Sequence, residues 1–136
     1  MYLKDLMLGE KFAFYSIAKH LVNIDGDYSE QEKFLLNGFL SEMDLSESQI
    51  QEIELSDAVE MLTFSSHAVR KEIFIELIGV TLCDEFFHTD EAKFLDDVAE
   101  TFHISHEEKN ELIQLVNELL VIYKRMQAIV DQGSDN

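Results

Sequence analysis

The 136-residue chain contains no proline, no tryptophan, five glycines and a single cysteine. The scarcity of chain-breaking residues disfavours a sandwich of many short strands and favours helices. Because Cys83 has no second cysteine to pair with, an intrachain disulfide is excluded and we predict a reducing, cytoplasmic location. The apolar runs are shorter than the roughly 20 residues that span a bilayer, which predicts no membrane insertion.

Basic residues are scarce as well. Ten Lys and Arg stand against 28 Asp and Glu, which gives a formal net charge of −18. This balance argues against nucleic acid and anionic membranes as partners, because both require cationic side chains. A cation or a basic protein partner is attracted to such a surface, and the alternative is that the charge serves only solubility.

Apolar residues recur at intervals of three and four, the spacing of amphipathic helices. The stripes are Phe14, Ile17, Ala18, Leu21; then Leu35, Phe39, Met43; then Leu112, Leu115, Leu119, Tyr123, Met126. Residues 69–87 are apolar nearly all round, which predicts a central buried helix. We predict one all-α domain over residues 1–130 and a flexible tail at 131–136. The expected helices, about seven in number, cover 3–23, 30–43, 47–53, 57–64, 66–86, 90–102 and 106–130.

Serines followed three residues later by Glu or Gln mark several of these helix starts, as in a capping box. Ser29, Ser46 and Ser105 fit this pattern, and Ser56 and Ser66 are weaker candidates for helix caps.

The two halves of the chain resemble each other when it is shifted against itself by 59 residues. The aligned pairs are Asp25 with Asp84, Tyr28 with Phe87, Glu32 with Glu91, Leu36 with Leu95, Phe39 with Val98, Met43 with Phe102, Leu45 with Ile104 and Ser46 with Ser105. The pattern predicts one helical unit used twice, over residues 7–53 and 66–112. We expect the units to pack about a pseudo-twofold axis, since neither buries its apolar face alone.

Each half carries an Asp followed seven residues later by a Glu, and the first copy reads DGDYSEQE from Asp25. Part of this stretch fits an EF-hand calcium loop, with Gly26 as its turn glycine. However, Leu21 stands where the first ligand of that loop is acidic, and Val80 takes the same place in the second copy. The loop is therefore not an EF-hand.

The duplicated turn resembles that of the TerB-like family, which includes tellurite-resistance TerB proteins and the N-terminal domain of DjlA-type co-chaperones. The family turn reads D-G-x-apolar-x-x-x-E between two helices and recurs in the second half of a seven-helix domain. Asp25 to Glu32 matches it throughout. The second copy, Asp84 to Glu91, keeps the Asp, the apolar residue and the Glu, but Glu85 replaces the glycine.

The resemblance implies a non-catalytic, acidic module associated with stress or tellurite resistance, in which the paired acidic turns bind a divalent cation. Carried over residue by residue, the metal ligands are Asp25, Glu32, Asp84 and Glu91, with Asp27 as a secondary candidate. Oxygen ligands alone favour Ca²⁺ or Mg²⁺.

A second interpretation needs no ion. Glu32 completes a capping box, Asp25 and Gly26 form a turn, and carboxylates near a helix N-terminus are favoured by its dipole. The acidic surface would then dock a basic protein partner.

Catalysis has little support in the sequence. No Ser or Cys nucleophile has a histidine at a position that indicates a catalytic pair, and the chain lacks a glycine-rich phosphate loop. We therefore expect a binding protein rather than an enzyme.

Overall fold

The computed structural model describes residues 1–24, 30–82 and 89–133. Its regular elements in these ranges are α-helices and two 3₁₀ turns, so the predicted all-α class is confirmed for the described chain. The helices are α1 (Leu8–Val22), α2 (Glu30–Met43), α3 (Leu55–Leu62), α4 (His67–Leu82), α5 (Thr89–Thr101) and α6 (His106–Gly133). None of them combines the length and the apolar composition needed to cross a bilayer.

The helix count differs from the sequence prediction. The described residues contain six α-helices, and the helix expected over 47–53 is only a 3₁₀ turn at Glu47–Gln49. The first predicted helix is also divided, into a 3₁₀ turn at Leu3–Asp5 and α1. Short segments of this kind are marginal as α-helices, because too few backbone hydrogen bonds follow a costly first turn. Of the predicted tail, residues 134–136 lie outside the described part.

The core is built around α1 and α4. Helix α1 packs against α2, α3 and α4, and α4 also packs against α5 and α6. Phe14 of α1 meets Phe39 of α2 edge to face, with ring centroids 5.0 Å apart and an interplanar angle of 79°, a geometry that aromatic quadrupoles favour. The predicted burial of the middle of α4 is confirmed by Ile73, Phe74, Leu77 and Ile78, which are fully enclosed.

Helix α6 has two different parts. Its N-terminal part packs on α4, and the Lys71 ammonium of α4 donates to the Glu108 carboxylate at 2.7 Å. This hydrogen bond holds the pKa of Glu108 below its ordinary value. From Val121 onward every residue of α6 whose side chain is described is exposed. The third apolar stripe of the sequence therefore lies mostly on the surface rather than in the core.

Helices α2 and α5 end in the same way. Asp44 and His103, which follow these helices, both have left-handed backbone angles, with φ of 58° and 59°. In each case the next N–H donates back to the helix, from Leu45 to the Leu40 carbonyl at 3.0 Å and from Ile104 to the Ala99 carbonyl at 2.8 Å. These bonds satisfy carbonyls that a helix end leaves open.

We predict that Asp44→Gly and His103→Gly each raise the free energy of unfolding by about 0.5–1 kcal/mol, because only glycine adopts φ > 0 without a steric cost. Urea unfolding curves measure the change. The matched control is Thr63→Gly at the end of α3, where φ is −67°, and where glycine should lower stability by about 0.5–1 kcal/mol. A loss of stability in all three variants would contradict the conformational argument.

Candidate functional site

Five polar or charged residues are buried in the part of the chain that the structure describes. They are Glu32, Glu76, Thr81, Glu91 and Lys109. Removing a charged group from water is unfavourable unless hydrogen bonds or an opposite charge compensate it. In a chain with a net charge of −18, buried glutamates are the most informative members of this set.

Glu32 and Glu91 are two of the four predicted metal ligands, and their residues are only 3% and 4% exposed. They lie in the first turns of α2 and α5. The residues directly before these helices, 25–29 and 83–88, lie outside the described part of the chain. They include Asp25, Asp84 and the secondary candidate Asp27, so the full set of metal ligands stays a prediction.

The position of these two carboxylates favours their ionised form, which can bind a cation. The first turn of a helix has N–H groups without intrahelical acceptors, so a carboxylate there is stabilised by hydrogen bonds and by the helix dipole. Carboxylate oxygens are also the hard ligands that Ca²⁺ and Mg²⁺ prefer. Within residues 1–24, 30–82 and 89–133, no group of three or more His, Cys, Asp and Glu side chains is arranged to hold a metal ion.

Comparisons of the chain with protein-family models, curated proteins and solved structures find no match. The TerB-like resemblance therefore rests on the duplicated turn motif and its spacing. Any function inferred for the chain must be argued from its own residues.

An open groove of about 570 Å³ lies between α1 and the segment that leads into α3. Its lining residues are Ser16, Lys19, His20, Asn23, Glu52, Ile53, Glu54 and Leu55. One of these residues, Asn23, lies two positions before Asp25 in the sequence. Its walls carry both basic and acidic side chains, so it does not present a single sign of charge to a ligand.

Contacts within the fold hold Lys109, Thr81 and Glu76. Lys109 forms an ion pair with Asp96, and the Thr81 hydroxyl donates to the Ile78 carbonyl at 2.8 Å. Glu76 of α4 lies 2.9 Å from the N-terminal ammonium of Met1 and accepts the Tyr2 N–H at 3.0 Å.

The Met1 ammonium also donates to Glu42 of α2 at 2.6 Å. Two carboxylates from different helices thus bind one ammonium group and tie the N-terminus across α2 and α4. Sequence reasoning missed this arrangement. The available signal was Glu76 itself, which is the single charged residue between Ile73 and Leu82.

This arrangement makes stability depend on pH. Partial burial acts to lower the pKa of the ammonium, but its hydrogen bonds to Glu42 and Glu76 and their negative charges outweigh that effect, so the pKa is raised above its ordinary value of 8.0. A raised pKa in the folded state means that the folded chain holds this proton more tightly than the unfolded chain. The resulting stabilisation is complete below pH 8.0 and is lost as pH rises through the folded-state pKa.

We predict that Glu76→Gln lowers the free energy of unfolding by about 1–2 kcal/mol at pH 7, a figure that allows for solvent screening of the partly exposed ammonium. The difference from the wild type should shrink at pH 9.5, where deprotonation of the ammonium has begun to remove the interaction from both proteins. Urea unfolding at the two pH values measures this. Glu72→Gln, one turn earlier on α4, is the matched control, and a Glu76→Gln deficit that is the same at both pH values would contradict the ion-pair explanation.

Proposed function

We propose that this chain is a non-catalytic, acidic TerB-like module that binds a divalent cation, Ca²⁺ or Mg²⁺, at two equivalent acidic turns. The observation that carries the proposal is the burial of Glu32 and Glu91 at the starts of α2 and α5. The TerB-like resemblance implies both residues as ligands. In this proposal both residues bind the cation, together with Asp25 and Asp84.

A repeated spacing of helix starts along the chain supports the proposed equivalence of the two turns. Helices α1 and α4 begin at Leu8 and His67, and α2 and α5 begin at Glu30 and Thr89, so each pair is separated by 59 residues. The left-handed residues Asp44 and His103 are separated by the same number. Since 59 is also the shift that aligns the sequence with itself, backbone geometry and side-chain pattern favour the same division.

The buried pairs support the same interpretation. At positions 59 residues apart, both members are enclosed in Glu32 and Glu91, Leu36 and Leu95, Phe39 and Val98, Leu40 and Ala99, Met43 and Phe102, and Phe14 and Ile73. Most of the apolar pairs change in size, as expected where two units pack against different neighbours, whereas Leu36 and Leu95 are identical. The acidic pair also keeps its residue type, and a shared requirement for a carboxylate at this place would explain that.

A divalent cation is a ligand that these two carboxylates are suited to bind. Helix N–H groups supply partial positive charge, whereas a divalent ion supplies a full charge and accepts six or more oxygen ligands in the case of Ca²⁺. One Glu contributes at most two of these oxygens. Asp25 or Asp84, backbone carbonyls of the turn and water would supply the others.

The alternative function is a protein-interaction domain whose acidic surface docks a basic partner, with both turns purely structural. The net charge of −18 favours it. In that case Glu32 and Glu91 would stabilise the fold equally with and without ions, and capture of the partner would weaken as salt concentration rises.

We predict that saturating Ca²⁺ or Mg²⁺ stabilises the wild-type protein, by about 2.7 kcal/mol when free ion is 100-fold above the Kd. Glu32→Gln and Glu91→Gln should each remove a large part of this ion-dependent gain, because an amide keeps the shape of the side chain but loses its charge. Thermal unfolding with and without ion, together with titration calorimetry, measures the effect.

Each of the two helices has an exposed acidic residue whose charge can be removed as a control. Glu30 lies in the same first turn as Glu32, and Asp90 lies beside Glu91, so the control variants are Glu30→Gln and Asp90→Asn. Both controls should keep the full ion response. If the wild type shows no heat of binding and no thermal shift at millimolar ion, or if the controls lose the response as fully as the buried variants, the cation proposal is wrong.

A further inference from the structure

The exposed part of α6 carries a row of apolar side chains. The row is Leu115, Leu119, Ile122, Met126 and Ile129, and we call it the α6 seam. Its intervals alternate between four and three residues, which is the heptad a/d pattern of a coiled coil. The seam residues are between 37% and 71% exposed.

The area of this surface is large for a face in contact with water. If a large apolar side chain presents roughly 150 Å² when fully exposed, the seam and the flanking Tyr123 and Val130 expose roughly 580 Å². That is at the upper end of the about 300–600 Å² of the largest apolar patch on a typical monomer. It is the larger part of the about 800 Å² that each partner contributes to a standard interface.

We propose that the α6 seam pairs with the α6 seam of a second copy of this chain, forming an antiparallel two-helix coiled coil. The proposal is independent of cation binding. In this alignment Leu119 lies opposite Ile122 of the partner subunit, and Leu115 lies opposite Met126 of the partner subunit. The two-fold axis of the dimer produces each of these contacts twice. The same face of α6 therefore serves both subunits, and the interface is self-complementary.

The charges beside the seam favour this occupant and this orientation. Residues 119–130 contain Lys124 and Arg125 and no acidic residue, in a chain whose net charge is −18. Glu118 and Arg125 occupy the same flanking heptad position, one heptad apart, and in the antiparallel alignment each lies beside the other across the interface. A parallel pair would instead place Glu118 beside a tyrosine and Arg125 beside a valine.

The antiparallel arrangement also separates the acidic remainders of the two subunits, that is, everything before α6. In each subunit this part contacts α6 through α4. Antiparallel helices therefore place the two acidic parts at opposite ends of the seam, whereas parallel helices would place them side by side. Separation and salt both weaken the repulsion between two strongly negative surfaces.

Sedimentation equilibrium at about 100 μM protein tests the proposal, at a concentration well above the micromolar Kd of an interface worth about 8 kcal/mol. The wild type should have twice the 15.7 kDa mass of one chain. Ile122→Asp places a charge in the seam and should weaken the dimer at least about tenfold. Ala128→Asp adds the same charge to the same helix away from the seam and should leave the dimer intact. Circular dichroism verifies that both variants keep their helices.

Charge reversal tests the orientation. Glu118→Arg and Arg125→Glu should each weaken the dimer, and the double variant should restore it, since the pair is only exchanged. A double variant that stays weak would exclude the antiparallel pairing. A monomeric wild type, or a dimer that Ile122→Asp leaves unchanged, would overturn the proposal. So would a monomer that binds anionic phospholipid vesicles through Ile122, because the occupant would then be a lipid surface.

Discussion

The burial of a carboxylate in the first turn of α2 and of α5 is the constraint on which the proposed function depends. Glu32 and Glu91 are withdrawn from water in a chain that already has a large excess of negative charge. Such a group is tolerated only when hydrogen bonds or positive charge replace its hydration. The proposed cation would add a full positive charge beside each of these carboxylates. The N-terminal ammonium between Glu42 and Glu76 shows that this fold compensates another buried carboxylate with a full positive charge.

Much of the helical architecture followed from the sequence. The bounds predicted for α2, residues 30–43, coincide with those of the structure, and the predicted cap at the start of α6 is confirmed by the Glu108 N–H, which donates to the Ser105 hydroxyl at 3.1 Å. Ser56 was a wrong candidate, because α3 begins one residue before it, at Leu55. A serine predicts a helix start where capping the helix is its only hydrogen-bonding role. The pattern cannot decide between several serines that lie close together in the sequence.

The candidate site was less accessible to sequence reasoning. The TerB-like resemblance implied Glu32 and Glu91 as ligands, and the structure adds that both are buried, which an Asp-to-Glu spacing cannot reveal. The contacts of the N-terminal ammonium were not predicted, because Met1, Glu42 and Glu76 are brought together only by the packing of three separate segments. The lone charge of Glu76 was the available signal. Periodicity detected the apolar stripe on α6 but not what covers it. An amphipathic pattern reports that a face avoids water, and a neighbouring helix or a second chain satisfies that requirement equally well.

The most direct test of the central claim is the anomalous diffraction of crystals grown with Mn²⁺, an ion that carboxylate sites of this kind accept. The account predicts anomalous peaks at the first turns of α2 and α5, with oxygen atoms of Glu32 and Glu91 roughly 2–2.6 Å from the ion. Peaks confined to exposed carboxylates, with both buried glutamates bound only by backbone N–H groups, would contradict it.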